Sequence, residues 1–250
     1  MAESSGPSIP ELSIVVPVHN EADNVAPLVR EIHASLRGSI TFEVVFVDDG
    51  STDHTAESIR RIAHELPGVR LLRHSRRCGQ SVAIVTGVRA ARAEWITTLD
   101  GDGQNDPADI PRFLHALAQD QTGRLKLIIG HRRTRRDPWL RRISSRIANG
   151  VRSALLHDAT PDTGCGIKLF HRSTFLQLPV FNHMHRFLPA LFQREGALVL
   201  SIDVHHRPRL RGTSKYGLFD RLGAGLLDLF GVHWLIRRAP PLVQAQEEAF

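Results

Sequence analysis

Hydrophobic positions in the first half of the chain follow two alternating rhythms. Continuous apolar runs stand at LSIVVPV (12–18), FEVVFVDD (42–49), VRLLRHS (69–75), WITTLD (95–100) and LKLIIGHR (125–132). Between them, residues 21–37, 53–65, 80–92 and 107–120 place their apolar side chains at helical spacing. Short apolar runs predict strands buried on both faces, and strands that alternate with helices predict βαβ units around a parallel sheet. Asp53 and Ser81 mark helix starts, and Pro107 stands just inside the fourth helix. The fold class is therefore α/β, a mostly parallel, Rossmann-like sheet flanked by helices.

Beyond residue 132 the rhythm changes. Residues 139–156, WLRRISSRIANGVRSALL, predict an amphipathic helix. Leu140, Ile143, Ile147, Val151, Ala154 and Leu155 share one side, and Arg141, Arg142, Arg146 and Arg152 the other. Strand-like runs follow at GIKLFHR (166–172) and LVLSIDVHHR (198–207). Residues 217–238 are strongly apolar but broken by Asp220, Arg221 and Asp228. There is no internal repeat, and residues 1–10 and 241–250 read as tails.

Composition narrows the class without naming a chemistry. A chain of 250 residues, 42% hydrophobic and 23% charged, is an ordinary globular domain with length for a real core. The formal charge of +6 is unevenly spread. Arg132, Arg133, Arg135, Arg136, Arg141, Arg142, Arg146 and Arg152 crowd into one stretch and suggest a phosphate-bearing partner. Cys78 and Cys165 lie far apart with no metal or redox spacing, which fits reduced thiols in a cytosolic protein. His205-His206 and His183-x-His185 lack the partners a zinc site needs. No secretory signal opens the chain, and no window offers the roughly 20 uncharged apolar residues of a membrane span. A chain in water or attached to a membrane surface is expected.

Three polar clusters fall at the carboxyl ends of predicted strands: HNE after the first, DDGSTD after the second and DGDGQND after the fourth. Ligands of parallel α/β sheets gather at that edge. Turn chemistry alone would also favour these residues, but three such placements together favour a site. Asp100 and Asp102 on one loop suit a hard divalent cation, which offsets the repulsion between them. Gly101 and Gly103 would let the main chain approach a bulky ligand. Asp106, before Pro107, reads as a helix cap, and Asp48 as an orienting carboxylate beside Asp49.

The ordered set PVHNEADN (17–24), VDDGSTDHT (47–55), LDGDGQNDP (99–107), DTGCGIKLF (162–170) and RPRLRGTSKYG (207–217) resembles family 2 glycosyltransferases of the GT-A fold. Within that family it is most similar to the polyprenol-phosphate sugar transferases, the dolichol-phosphate mannose synthase group. The likeness covers roughly residues 12–217. It implies a GT-A domain over residues 11–216, its donor part at 11–132 and its acceptor part at 133–216, followed by a docking helix at 217–240.

The resemblance also assigns roles. Pro17, His19, Glu21 and Asp49 would line the nucleotide pocket, with His19 standing where tyrosine is common. Asp100 and Asp102 would hold nucleotide sugar and metal, Mg²⁺ or Mn²⁺, with Asp102 and Gln104 as direct ligands. Arg132 would meet donor or acceptor phosphate, while Arg209, Ser214 and Lys215 would close over the diphosphate, with Tyr216 packed beside them. Asp162 and Lys168 would border the acceptor side. Asp100, Asp102, Arg209 and Lys215 form the implied catalytic set.

The implied reaction is single displacement with inversion, from a UDP- or GDP-sugar to a polyprenyl phosphate that needs no strong general base. Two alternatives stand beside it: transfer to a soluble saccharide or protein acceptor, and a non-catalytic nucleotide-sugar-binding subunit. No nucleic-acid-binding motif is present. Many relatives continue into transmembrane helices whereas this chain stops at Phe250. The expectation is therefore peripheral attachment on the cytoplasmic face through 139–156 and 217–238, or a membrane partner subunit.

Overall fold

Strand β1 (Leu12–Val18) lies near the middle of the sheet, and its side chains alternate between two cores. Ile14 and Val16 join one cluster while Val15 joins the other, as Val44 and Phe46 do against Val45 on β2 (Phe42–Asp48). Continuous apolar runs are the sequence form of that double burial. The structure, a computed structural model, describes residues 9–132, 150, 152–156, 158, 160–208 and 218–238, the side chains of 218–226 excepted.

The chain continues through α1 (Ala22–Leu36), β2, α2 (Thr55–Glu65), β3 (Val69–Arg73), α3 (Gln80–Ala90) and β4 (Trp95–Thr98). A 3₁₀ turn (Pro107–Asp109) leads into α4 (Ile110–Ala118) and β5 (Leu125–His131). Then come β6 (Lys168–His171), α5 (Arg172–Gln177), a second 3₁₀ turn (Met184–Arg186), α6 (Leu188–Arg194), β7 (Leu198–Asp203) and α7 (Leu218–Arg237). The seven strands form one sheet in the order β3-β2-β1-β4-β6-β5-β7. Helix α1 buries Val25, Leu28, Val29, Ile32 and Leu36, a 3-4 stripe, against one face together with Ile59 and Ile62 of α2 and Phe113 of α4. Helix α3, Phe175 of α5, Leu191 and Phe192 of α6, and Leu229 and Val232 of α7 cover the other face.

The sheet is parallel except at β6, which runs antiparallel to both neighbours, with Thr98 opposite Lys168 and Ile129 opposite Lys168. This inversion positions the site. The start of β6 lies beside the carboxyl ends of β4 and β5, so the segment leading into Lys168 returns to the loop after β4. Strand β7 is parallel to β5, with His131 opposite Asp203, and releases the chain at the same edge.

The helix starts show one correction. Asp53 accepts from the Thr55 N–H at 3.0 Å and the Ala22 N–H at 3.4 Å, serving the beginnings of both α2 and α1. Ser81 does not cap α3. The cap position is Gly79, with φ of 96°, and the Ser81 hydroxyl lies 2.7 Å from Nδ1 of His185 instead. Asp106 is a cap, accepting from the Ala108 N–H at 3.0 Å.

Most of the predicted arginine-rich helix lies outside the described residues, but its end, 152–156, is helical. Arg152 departs from the polar face that helical periodicity gives it. It is buried, paired with Asp158 at 3.0 Å and donating to Thr163 Oγ1 at 2.7 Å, and it also holds the Thr160 carbonyl. Leu155 and Leu156 pack into the core, and His233 Nδ1 of α7 meets the Leu155 carbonyl at 2.9 Å. Among the described residues, no helix is long and apolar enough to cross a membrane.

Candidate active site

The loops after β1, β2 and β4 form one polar edge. After β2, Asp48 is fully buried and accepts from the Ser51 N–H at 2.9 Å and from Arg73 Nε at 3.0 Å. It orients its turn, as its residue type predicted. Asp49 turns its carboxylate onto the segment after β3. It accepts from the main-chain N–H groups of Cys78 and Gly79, both at 2.7 Å, and from His74 at 2.8 Å. Burial works against its charge, but these donors outweigh it and hold the carboxyl below its ordinary range. Asp49 therefore builds the wall formed by residues 74–79.

The loop after β1 docks on that wall. His19 Nδ1 is 2.9 Å from the Asp49 carbonyl, and the Asn20 N–H donates to Ser51 Oγ at 2.9 Å. Asn20 takes φ of 55°, a left-handed conformation that Asn tolerates, and accepts from the Thr52 N–H at 2.9 Å. Glu21 accepts from Asn24 Nδ2 at 2.6 Å, and its N–H donates to Thr55 Oγ1. His19, Glu21 and Asp49 are thus gathered into one corner, and Pro17 stands beside it near the end of β1, opposite Val47 of β2. Asp49, His74 and Cys78 also bring one ligand atom each within 4.8 Å of one another. The Asp49 oxygens and both ring nitrogens of His74, the second at 3.0 Å from Thr86 Oγ1, already have partners, so that corner is satisfied without an ion.

The D-G-D-G-Q loop lies at the centre of the edge. Asp100 donates its main-chain N–H to Asn105 Oδ1 at 2.9 Å, and its Oδ1 accepts from Gln80 Nε2 at 2.9 Å. Asp102 Oδ1 accepts from the Gln104 N–H at 3.1 Å. Burial and the adjacent Asp102 push the Asp100 carboxyl above its usual range, while Lys168, Arg132 and the Gln80 hydrogen bond pull the other way. The two glycines have different reasons. Gly103 takes φ of 73°, whereas a Cβ on Gly101 would meet Val18 Cγ1 at 2.5 Å. Gly101 answers to the core beneath the loop.

Behind the loop stand the groups that β6 returns to it. Lys168 is buried, donates to the Cys165 carbonyl, and has its pKa lowered first by burial. Thr98 Oγ1 donates to the Gly166 carbonyl at 2.8 Å. Arg132 is clasped by Asp162, Nε to Oδ2 at 2.7 Å and Nη2 to Oδ1 at 2.9 Å. Its charge reaches Asp100 from inside that ion pair. Arg209, Ser214, Lys215 and Tyr216 lie outside the described residues.

Three contributors were missed by sequence reasoning. Gln80 and Asn105 grip Asp100 from α3 and from its own loop, and His185 meets Ser81 across 104 residues of chain. Asn105 stood inside the quoted motif and could have been found there. Gln80 and His185 carry no local signal, because tertiary folding alone makes their contacts.

The donor set suits a hard cation: two carboxylates and an amide oxygen on one loop, with the Asp100 carboxyl raised first by burial and then by Asp102. Comparison with known proteins agrees with the fold and the motifs. Glycosyl transferase family 2 matches residues 13–178. The chain is 36% identical over 232 residues to a dodecaprenyl-phosphate galacturonate synthase of Rhizobium johnstonii, covering 91% of this chain and 68% of that protein. It is 34% identical to an undecaprenyl-phosphate 4-deoxy-4-formamido-L-arabinose transferase of Edwardsiella ictaluri, covering 83% of this chain and 63% of that one. The chain thus spans about two thirds of the length of these relatives.

Among solved structures, it resembles glucosyl-3-phosphoglycerate synthase from Mycobacterium tuberculosis in complex with Mn²⁺, UDP and glucosyl-3-phosphoglycerate. The TM-score is 0.68 at 18% identity, covering 93% of this chain and 81% of that one. A mannosyltransferase from Pyrobaculum calidifontis in complex with GDP-mannose and Mn²⁺ gives 0.67 at 21%, covering 94% and 67%. These likenesses establish the GT-A-type fold. The family model and the curated relatives place the chain in glycosyl transferase family 2, among the polyprenol-phosphate sugar transferases.

Proposed function

We propose that this protein transfers a sugar from a nucleotide-diphosphate donor to a polyprenyl phosphate, with inversion, on the cytoplasmic face of a membrane. One observation carries the reading: β6 brings Lys168 beside the end of β4, and Asp162 of the segment before it clasps Arg132 at the end of β5, across the sheet from the Asp49 corner after β2. A donor with its base in that corner would extend its diphosphate toward Asp102 and Gln104. Asp100, steadied by Gln80 and Asn105, then faces the sugar. Lys168 and Arg132 supply positive charge on the acceptor side, where an incoming phosphate is a nucleophile without deprotonation.

Asp102 and Gln104 would hold Mg²⁺ or Mn²⁺, which when bound stabilises the charge that develops on the leaving diphosphate. Arg209, Ser214 and Lys215 keep the phosphate-closing role that the family pattern gives them. Helix α7 provides a surface for attachment. Leu227, Phe230 and Trp234 are exposed at helical spacing, while Leu229 and Val232 are buried in the core. Galacturonate and formamido-arabinose, named for the two relatives, are the first sugars to test.

The test is a screen of UDP- and GDP-sugars against a short polyprenyl phosphate with Mg²⁺ or Mn²⁺, with the lipid product followed by mass and its anomer by NMR. A glycosyl phospholipid of inverted configuration is expected, and it should be lost in Asp102→Ala. Retention of configuration, or transfer only to water-soluble acceptors, would overturn the reading.

A further inference from the structure

We infer that Arg207 is a positioning residue for the metal loop, presenting the Gln104 amide oxygen to the cation and keeping Asp106 away from it; this rests on the metal reading above. The segment leaving β7 zips against the metal loop. Asn105 and His206 form an antiparallel bridge, and the Arg207 N–H donates to the Gln104 carbonyl at 3.0 Å. In return, Gln104 Nε2 donates to the Arg207 carbonyl at 3.4 Å. A carbonyl can only accept, so the Gln104 side chain must turn its nitrogen to Arg207, leaving its oxygen as the end offered to a cation.

The Arg207 side chain completes the clamp. Its Nη2 lies 2.7 Å from Asp106 Oδ1, and its Nη1 donates to Glu31 Oε2 on α1 at 2.7 Å. These two carboxylates outweigh the cost of partial burial and raise the arginine's pKa. Helix α1 is fixed by its buried stripe, so the guanidinium ties the far end of the loop to a rigid element. It also neutralises the third carboxylate of the DGDGQND run. Without it, Asp106 would add negative charge beside Asp100 and Asp102 and could compete for the metal. His205 pins the same segment from the other side, its N–H donating to Asp109 Oδ2 at 2.7 Å.

The experiment is a Mn²⁺ titration followed by EPR, in the presence of UDP and separately of GDP. It compares wild type, Arg207→Met, Glu31→Gln and, as a control, Asp102→Asn. The expected result is a Mn²⁺ dissociation constant about tenfold higher in Arg207→Met, a smaller rise in Glu31→Gln, and loss of binding in Asp102→Asn. Raised Mn²⁺ should restore most of the turnover of Arg207→Met, as loss of a positioning residue requires. Wild-type Mn²⁺ affinity in Arg207→Met, or a turnover defect that metal does not relieve, would overturn the inference while the metal reading stands. Absence of binding in the wild type would remove both. If Arg207→Met does not fold, Glu31→Gln decides, since it removes one arm only and wild-type affinity in it would count against the clamp.

Discussion

Gln80 donates its side-chain amide to Oδ1 of Asp100 at 2.9 Å, joining the first residue of α3 to the D-G-D-G-Q loop. Gln80 is exposed, so little of the core depends on it. A hydrogen bond to a charged group is worth about 1.5–3 kcal/mol, so Gln80→Leu should lower kcat/KM roughly tenfold or more. Thermal stability should stay near that of the wild type. Steady-state rates on the lipid acceptor, beside a melting curve, separate the two. Unchanged rates would show that Asp100 needs no external orientation.

Gly166 makes the second prediction. A Cβ there would sit 2.1 Å from Asp100 Oδ2 and 2.6 Å from Asn105 Oδ1. Its φ is not left-handed, so the obstacle is contact alone. Gly166→Ala must push Asp100 or break its bond to Asn105, at about 1–3 kcal/mol. Activity should fall at least tenfold, and by a larger factor than Gly103→Ala, where a Cβ meets nothing within 4 Å and the strain is in φ alone. Equal losses in the two variants would contradict this account.

These two positions show where sequence reading succeeds and where it stops. Strands such as LSIVVPV and FEVVFVDD were legible because burial on both faces leaves an uninterrupted apolar run. The D-G-D-G-Q loop was legible because its chemistry is contiguous. Strand β6 was visible as a run, but its direction was not, since antiparallel insertion between β4 and β5 depends on pairing across about seventy residues to β4 and about forty to β5. Arg152 failed for a related reason. Helical periodicity put it on the polar face with the other arginines, yet Asp158 lies six residues on and folds back to it, making a buried pair.

That pair gives a stability prediction. Removing one partner of a buried ion pair strands the other charge, at about 3–5 kcal/mol. Arg152→Met should therefore lower the melting temperature by on the order of 10 °C. Adding Asp158→Asn to the same chain should recover part of the loss, because the stranded charge is then gone. A double variant no more stable than the single one would refute that cause.

His185 carries the pH dependence. Burial first, then the charges of Lys168, Arg186 and His183, lower its pKa from 6.5 to about 3. The unfolded chain therefore binds a proton near pH 6.5 that the folded chain refuses until about pH 3. Stability from this group is full above the higher value and drains as pH falls between the two. The loss on going from pH 7 to pH 5 should be roughly 2 kcal/mol. His185→Asn keeps a polar partner for Ser81 and should lose that much less across the same interval. Urea unfolding of both proteins at pH 7 and pH 5 measures it, and parallel acid sensitivity would sink the assignment.

The outer face of α7 makes the last prediction. Leu227, Phe230 and Trp234 are 76%, 56% and 60% exposed, a contiguous apolar stripe three and four residues apart. The opposite side is anchored by Leu229 and Val232, and by His183 just before the second 3₁₀ turn, whose Nδ1 lies 2.8 Å from Asp228. An exposed stripe on an anchored helix can meet lipid without unfolding the domain, and Trp favours the interfacial depth. Phe230→Glu with Trp234→Glu should cut co-sedimentation with anionic vesicles at least tenfold. The melting temperature and transfer to a short, detergent-dispersed polyprenyl phosphate should hold, because neither side chain is part of the core or of the D-G-D-G-Q loop. Undiminished vesicle binding would assign attachment to another part of the chain. Loss of transfer to the dispersed acceptor would instead give this face a direct part in acceptor binding.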